Sequence, residues 1–382
     1  MKMLHNTGKS ALIAMSGGVD SSVAAFLMKE QGCRCEGATM RLYRNEDLGR
    51  SQFRTCCAQQ DIDDASEVAF QLDIPYEVLD FTLEFKDQII EKFIRVYEAG
   101  GTPNPCIDCN RYMKFDKLLE FAKQKGLDLI VTGHYARVEY DRVSGRYLLK
   151  KALDADRDQS YVLYMLTQEQ LARTKFPLGE MRKPEVRELA ERLHFINARK
   201  HDSQDICFVP DGDYASFMEQ YTGKRYPEGD FLDENGAVVG KHRGGVRYTL
   251  GQRKGLGLAL GAPVYVCGKD MAANTVSVGP ETALYADSLL AEDVNWIAIP
   301  KLEGPMRFKA KTRYRQREQW ATVYPVGEKQ IRLRFDVPQR AMTVGQAVVL
   351  YDGDIVVGGG TITQVSGQRK TQAAPSGQRG KP

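Results

Sequence analysis

The run Ala11-Leu-Ile-Ala-Met15 and the turn Ser16-Gly17-Gly18-Val19-Asp20-Ser21-Ser22 behind it constrain this chain more than any other stretch. The apolar run reads as a buried parallel strand. Val23 to Gln31 carries a strong helix pattern that stops at Gly32. Strand, glycine turn and helix start fall within about twenty residues, the unit from which α/β sheets are built. Gly17 and Gly18 let the backbone approach an anion closely. The first-turn N–H groups and the hydroxyls of Ser16, Ser21 and Ser22 then surround that anion. The plainer reading is a serine-capped βα turn. Against it, hydroxyl and carboxylate groups crowd one turn, and Asp20 would repel an anion unless Mg²⁺ bridges the two. The turn is not a Walker A loop, because no lysine follows Gly18. Gly8-Lys9-Ser10 imitates the end of that motif, but Met3 stands where its first glycine belongs.

Further along, residues 35–43 read as a second strand, and Asn45 to Gln60 as polar and irregular. Ile62 to Leu72 shows one apolar helix face, Tyr76 to Asp80 a strand, and Phe85 to Ala99 and Tyr112 to Lys125 two more helices. Leu127 to Thr132 is a strand running into Gly133-His134. Strands alternating with helices predict a doubly wound parallel sheet with ligands at the strand C-terminal ends, where the glycine turn, Met40 and Gly133 all fall. Residues 160–195 read as helical. Near Phe208 the alternation ends, and from Phe231 onward short β-like runs separated by glycines predict a small β-rich module and then a β-barrel. The expected organisation is a catalytic domain over 1–213, a β-rich central domain over 214–282, a barrel over 283–365 and a disordered basic tail over 366–382.

Charge alone gives no support for nucleic-acid binding. The net value is +3, but Arg369, Lys370, Arg379 and Lys381 lie in the tail, leaving the body at −1. Any such partner must be argued from local patches, such as Arg243 to Arg253 and Lys309 to Arg317 with Tyr248 and Tyr314 interleaved. No apolar run approaches the length of about 18 residues that a membrane helix needs. The first residues lack the apolar core of a secretory signal, which favours the cytoplasm. There, the eight cysteines are expected to be metal-binding, catalytic or simply buried rather than disulfide-bonded.

Thr102-Pro-Asn-Pro-Cys-Ile-Asp-Cys109 places two thiols three apart in a proline-stiffened loop leading into a helix. A helix N-terminus favours the thiolate, the better nucleophile and metal ligand. A third thiol lies in Asp202-Ser-Gln-Asp-Ile-Cys207-Phe. The Ser16–Ser22 turn resembles the pyrophosphate-binding loop of the ATP pyrophosphatase superfamily. With these cysteine segments, Thr132-Gly-His-Tyr135, Arg157-Asp-Gln-Ser-Tyr161, Tyr248 to Gly257, Lys311 to Gln316 and Gly345-Gln346, the chain resembles the tRNA-specific 2-thiouridylases, which thiolate the wobble uridine. The matches run in order over about residues 10–360.

The resemblance implies an ATP site at Ala14, Met15, Ser16, Gly17, Gly18, Val19, Asp20, Ser21, Met40 and Gly133. It implies Cys109 as nucleophile and Cys207 as persulfide carrier. It also implies a tRNA-binding barrel over 283–365 and contacts with tRNA or its target base at Asn104, Pro105, Cys106, His134, Arg157, Asp158, Gln159, Arg313, Tyr314 and Gln346. The expected cofactors are ATP with Mg²⁺. The expected partners are a tRNA with a wobble uridine and a sulfur donor: a cysteine desulfurase, a sulfur-relay protein or sulfide. Two positions depart from the family. Cys106 stands where an aspartate acid/base is frequent, which leaves its role to another group such as Asp108, and Arg157 stands where lysine is frequent. The thiol at position 106 opens a second reading, in which Cys106, Cys109 and Cys207 hold a [4Fe–4S] cluster whose vacant iron delivers sulfide. A binder that keeps the fold without turnover is the non-enzymatic alternative; the intact loop and both cysteines argue for the enzyme.

Overall fold

The computed structural model describes residues 8–44, 59–201, 206–209 and 211–366. The expected irregular stretch from Asn45 falls largely, and the basic tail from Ser366 almost wholly, outside them.

β1 (Ser10–Ala14) is buried along nearly its whole length and leads through the glycine turn into α1 (Val19–Glu30). β2 (Arg34–Arg41), α2 (Gln59–Gln71) and β3 (Tyr76–Asp80) follow. Thr82–Phe85, Lys86–Ile90 and Glu91–Glu98 run on as one rod, α3, whose middle turn is π-helical. Pro105–Asp108, Cys109–Lys117 and Leu118–Gln124 form a second rod, α4, also π-helical at its centre. Pro105 sits at the first position, where its missing N–H costs nothing. Cys106 and Cys109 therefore lie on the first turns of a helix, not in a loop ahead of one.

β4 (Leu129–Val131) and, at the edge, the short β7 (Thr174–Lys175) complete a parallel sheet of order β3-β2-β1-β4-β7. β1 is flanked by β2 on one side and β4 on the other, so the crevice of a doubly wound sheet opens above its C-terminal end. Val23, Ala24, Ala25 and Met28 of α1 and Ala65, Val68 and Ala69 of α2 pack onto this sheet.

The stretch after β4 departs from the helical expectation. β5 (Ala136–Asp141) and β6 (Arg146–Lys151) form an antiparallel hairpin. Residues 160–195 are broken into a 3₁₀ turn (Ser160–Leu163), α5 (Gln168–Ala172), the short β7 (Thr174–Lys175), another 3₁₀ turn (Pro177–Glu180) and α6 (Lys183–Arg192). Pro177 and Pro184 cannot continue a helix, and Gly179 packs so closely on β5 that a Cβ there would lie 1.9 Å from the Ala136 carbonyl oxygen.

α7 (Tyr214–Thr222) leads into the small β-rich module: β8 (Gly229–Leu232), β9 (Val238–His242), β10 (Tyr265–Asp270) and β11 (Thr275–Gly279), in order β10-β11-β8-β9. β12 (Tyr285–Trp296), β13 (Met306–Lys311), β14 (Gln319–Gly327), β15 (Gln330–Arg340), β16 (Ala347–Asp352) and β17 (Ile355–Ser366) make an antiparallel barrel, closed by the pairing of β12 with β17. The hairpin β5–β6 is stitched to this barrel, with Leu149 and Lys150 opposite Val356 and Ile355.

Candidate functional site

Gly18 is the N-cap of α1, and a glycine has no side chain with which to cap it. The serines do not cap the helix either. Ser21 and Ser22 donate to the Gly18 carbonyl at 2.9 and 3.2 Å, and Ser16 Oγ lies 3.4 Å from Ser21 Oγ. The first-turn N–H groups are thus left for a ligand, as an anion cradle requires. Gly17 has φ +70°, and a Cβ there would strike the Asp61 backbone at 2.2 Å. Gly133 lies so close that a Cβ would meet the Asp20 carbonyl carbon and Ser21 nitrogen at 2.8 Å. Ala14, Met15, Met40 and Gly133 all end strands or follow them at this rim, so the structure gathers the expected ATP residues around one crevice.

The loop's charge is arranged in a way that the sequence hides. Lys183 Nζ donates to both oxygens of Asp20 at 2.8 Å, and the Tyr135 hydroxyl donates to the first of them at 2.8 Å. Lys183 is 163 positions beyond Asp20, and its side chain is only 6% exposed. The first turn of α6 thus brings a lysine to a loop that has none of its own. A lysine opposes the dipole at that end of a helix, the one local sign that it serves something else. Asp20 is therefore a poor fit for an open Mg²⁺ ligand, since its oxygens already face an ammonium and a phenol.

A second clamp holds the back of the loop. Lys200 bridges the buried carboxylates of Asp61 and Asp64 at 2.5 Å each and reaches the Gly17 carbonyl at 3.2 Å. Asn197 donates to the same carbonyl at 3.1 Å and to Ser22 Oγ at 2.9 Å. Tyr135 stood out in the sequence only as the end of the Thr132–Tyr135 motif, with no role, and Lys183, Asn197 and Lys200 not at all.

Cys109 and Cys207 are half-buried against one cluster, built from Tyr43, Phe85, Phe93, Met113 and Phe208 among others, and Met40 borders it too. The Tyr43 hydroxyl donates to the Cys207 carbonyl at 2.7 Å. Residues 202–205, the start of the motif carrying Cys207, lie outside the described residues. Cys106 is exposed and near enough to the barrel's Tyr314 to act on its hydroxyl electrostatically. Among the described residues no three acidic, histidine or cysteine side chains gather as a metal site. Cys106 is exposed where Cys109 and Cys207 are half-buried, so the three thiols do not come together as a cluster site here. Asp108 is buried and turned inward, where Lys92 pairs with it at 2.7 Å; burial raises its pKa and Lys92 partly opposes that. It does not share the exposed face of Cys106.

The expected RNA-facing residues divide in two. Tyr314 donates to the Asp158 carbonyl at 3.0 Å, which brings Arg157, Asp158, Tyr314 and Cys106 together on one rim. Asn104 and Pro105 open the helix beside them. The others serve the protein as it stands. His134 is buried between Phe115 and Phe176, with Nδ1 2.7 Å from Thr132 Oγ1, and burial holds its pKa well below the usual histidine value. Asp158 accepts from Ala152 N and Ser160 N, and Gln159 accepts from Tyr135 N. Arg313 donates to the carbonyls of Leu250 and Ala341, bracing the central module on the barrel. Gln346 donates to the carbonyls of Thr102 and Pro103 at 2.9 and 3.2 Å, strapping down the loop ahead of the cysteines.

An α/β nucleotide-type sheet with an open glycine loop, joined to two β modules, defines the class. A family model described as the tRNA methyl transferase HUP domain matches residues 9–211; the tRNA methyl transferase PRC-barrel domain matches 215–280, and the aminomethyltransferase beta-barrel domain matches 286–362. The chain is 50% identical over 355 residues to the tRNA-specific 2-thiouridylase MnmA of Acetivibrio thermocellus, covering 93% of this chain and 99% of that one. It is 48% identical over 354 residues to the protein of the same name from Clostridioides difficile, covering 93% and 98%. The chain belongs to the tRNA-specific 2-thiouridylase family.

Proposed function

We propose that this chain is an ATP-dependent tRNA 2-thiouridylase that replaces the 2-oxygen of the wobble uridine with sulfur. The placement of Cys109, Cys207 and Met40 around one buried cluster at the rim of the phosphate-loop crevice carries the reading. The family models speak of methyl transfer, the relatives of thiolation. Two thiols beside a pyrophosphate-type loop suit thiolation, in which adenylation activates the oxygen, one thiol carries the sulfur and the other resolves it.

The uridine 2-oxygen attacks the α-phosphorus of ATP and pyrophosphate leaves. The N–H groups after Gly18 and the Lys183 ammonium face the charge that develops on the departing phosphates. The terminal sulfur of a persulfide on Cys207 then attacks C2, and AMP departs. The Cys109 thiolate attacks the Cys207 sulfur; the persulfide bond breaks, its electrons stay on the 2-thio group, and a 109–207 disulfide forms. An external thiol reductant returns both cysteines to the reduced state. Asp20, already bonded to Lys183 and Tyr135, is a poor Mg²⁺ ligand, and Cys106 is exposed where Cys109 and Cys207 are half-buried. The persulfide sulfur arrives from a cysteine desulfurase or a relay protein; sulfide loads Cys207 only by attacking the 109–207 disulfide, with the Cys109 thiolate as leaving group. The cytoplasm, which keeps thiols reduced, is the compartment that suits this cycle, and no helix among the described residues is long and apolar enough to cross a membrane.

The test is mass analysis of wobble nucleosides after incubation with unmodified tRNA, ATP and a persulfide donor. 2-Thiouridine with stoichiometric AMP is expected. Cys207→Ser should still release pyrophosphate and leave the tRNA adenylated but form no thiouridine, and turnover of the wild type should yield a 109–207 cross-linked peptide. ATP consumption without thiouridine in the wild type would overturn the proposal.

A further inference from the structure

Among the described cysteines, Cys106 alone is exposed. Cys33 and Cys35 are buried, and burial raises both thiols, Cys35 to about 12. Burial likewise pushes the Cys267 thiol up to about 11. Those three stay protonated and serve packing. Cys109 and Cys207 are half-buried in one apolar cluster. The proposed cycle ends with these two joined as a disulfide, and no step of it uses Cys106. The joined sulfurs then lie among Phe85, Phe93, Met113 and Phe208, where a folded protein reductant gains poor access.

Cys106 and Cys109 stand one turn apart at the start of α4. The Cys109 N–H is shared between the carbonyls of Cys106 and Pro105, so the turn that carries both thiols already makes a 3₁₀ bond. Helical residues three apart have Cα atoms about 5 Å apart, inside the roughly 4.4–6.8 Å that a disulfide requires. Their Cβ atoms lie about 5–6 Å apart in a regular α turn, against roughly 3.5–4.5 Å in a disulfide. The turn must therefore tighten. A 3₁₀ turn eclipses the side chains at i and i+3, which supplies that movement. Little at the helix end resists it: Pro105 has no N–H to lose, and Asn104 makes no side-chain cap.

We infer that Cys106 is a second resolving thiol, which moves the disulfide from the half-buried 109–207 pair to an exposed 106–109 pair. Cys106 gives its proton to water and the thiolate attacks Cys109 Sγ. The bond between Cys109 and Cys207 breaks, and its electron pair leaves on the Cys207 thiolate, which is then ready for the next persulfide. One thiolate of a protein dithiol attacks Cys106 Sγ and releases Cys109. Its second thiol then attacks the first, releases Cys106 and leaves the partner oxidised to a disulfide. The two electrons come from that partner, a dithiol protein of the thioredoxin class that meets the exposed thiol at the rim beside Tyr314. The inference rests on the proposed persulfide cycle and supplies its reductive half.

The experiment oxidises the whole chain with diamide and follows its disulfides by alkylation and peptide mass analysis. Thioredoxin, regenerated by its reductase and NADPH, should reduce the wild type through a 106–109 intermediate. In Cys106→Ser the 109–207 disulfide should be reduced by thioredoxin more slowly, by about tenfold or more. Excess dithiothreitol, small enough to reach a half-buried bond, should reduce it in both proteins. Cys207→Ser, which leaves Cys109 one neighbour to pair with, should form a 106–109 disulfide that thioredoxin reduces at the wild-type rate. Thioredoxin reduction of Cys106→Ser as fast as wild type overturns the relay, and so does a Cys207→Ser protein that forms no 106–109 disulfide. These arms need no thiolation, so the two readings fail separately. Wild type that relays the disulfide but never makes 2-thiouridine overturns the proposed function and leaves the redox pair standing.

Discussion

Lys183→Met removes the ammonium from Asp20 and keeps most of the aliphatic stem. The two charges are 2.8 Å apart. At an effective dielectric of about 20 their attraction is roughly 6 kcal/mol, much of it offset by the cost of burying both groups. Deleting one partner of a buried pair costs about 3–5 kcal/mol, and Asp20, which is 30% exposed, belongs at the low end. The variant should therefore lose about 3 kcal/mol of stability in the parallel-sheet domain. If the ammonium also faces the departing pyrophosphate, AMP formation should fall by about 10²–10³, the effect of removing one preorganised donor. The two losses separate in the double variant Asp20→Asn/Lys183→Met. Neutralising the orphaned carboxylate restores most of the stability, because Tyr135 can still bond the amide, but it cannot restore AMP formation. Denaturant melts and a single-turnover assay of AMP on tRNA read the two quantities. A folded Lys183→Met protein that makes AMP at the wild-type rate would refute the argument. A double variant that regains the rate would reduce Lys183 to a partner for Asp20.

Gln346→Ala removes two hydrogen bonds to the Thr102 and Pro103 carbonyls; at about 1 kcal/mol each, amide exchange over 102–106 should rise and thiolation should slow about tenfold, and an unchanged exchange pattern would show that the strap is idle. Lys269, whose pKa burial lowers from 10.5 to about 8, titrates lower in the folded chain than in the unfolded one. Between those values the unfolded state holds more protons, so stability should rise with pH from about 8 to 10.5, and Lys269→Met should flatten that rise and stabilise the protein at pH 7 by up to about 3 kcal/mol; denaturant midpoints across that range check it.

Much of the phosphate-loop half was legible because its signals are local. Apolar run, glycine pair and helix pattern sit side by side, and Ser10 to Glu30 folds as that order dictates. The barrel was legible for the same reason, through alternation at short spacing. The hairpin Ala136–Lys151 was not, although Val138, Tyr140 and the Ser144-Gly145 turn carry a weak alternating signal, because its partner strand β17 lies some two hundred residues on. The helical expectation for 160–195 failed at Pro177, Gly179 and Pro184, where breakers outweigh a good apolar pattern. The π-helical centre of α4 left no trace, since one extra residue in a turn barely shifts the period. Lys183 was illegible in principle: its meaning is the carboxylate at Asp20, and nothing near residue 183 names that partner.

The same long-range contacts explain why a thiol chemistry and an adenylation chemistry can share one crevice. The loop that starts the cysteine helix is held by the barrel, through Thr102 N on the Val344 carbonyl and through Gln346. The hairpin that belongs to the barrel sheet begins one residue after Tyr135, whose hydroxyl holds Asp20. Cys109 and the phosphate loop are thus referred to the same rigid body from two directions. Alignment of the adenylated base with the sulfur needs tolerance below an ångström, because small misplacements cost large factors in rate. Two independent elements swinging on loops would not hold it. A barrel that anchors both does.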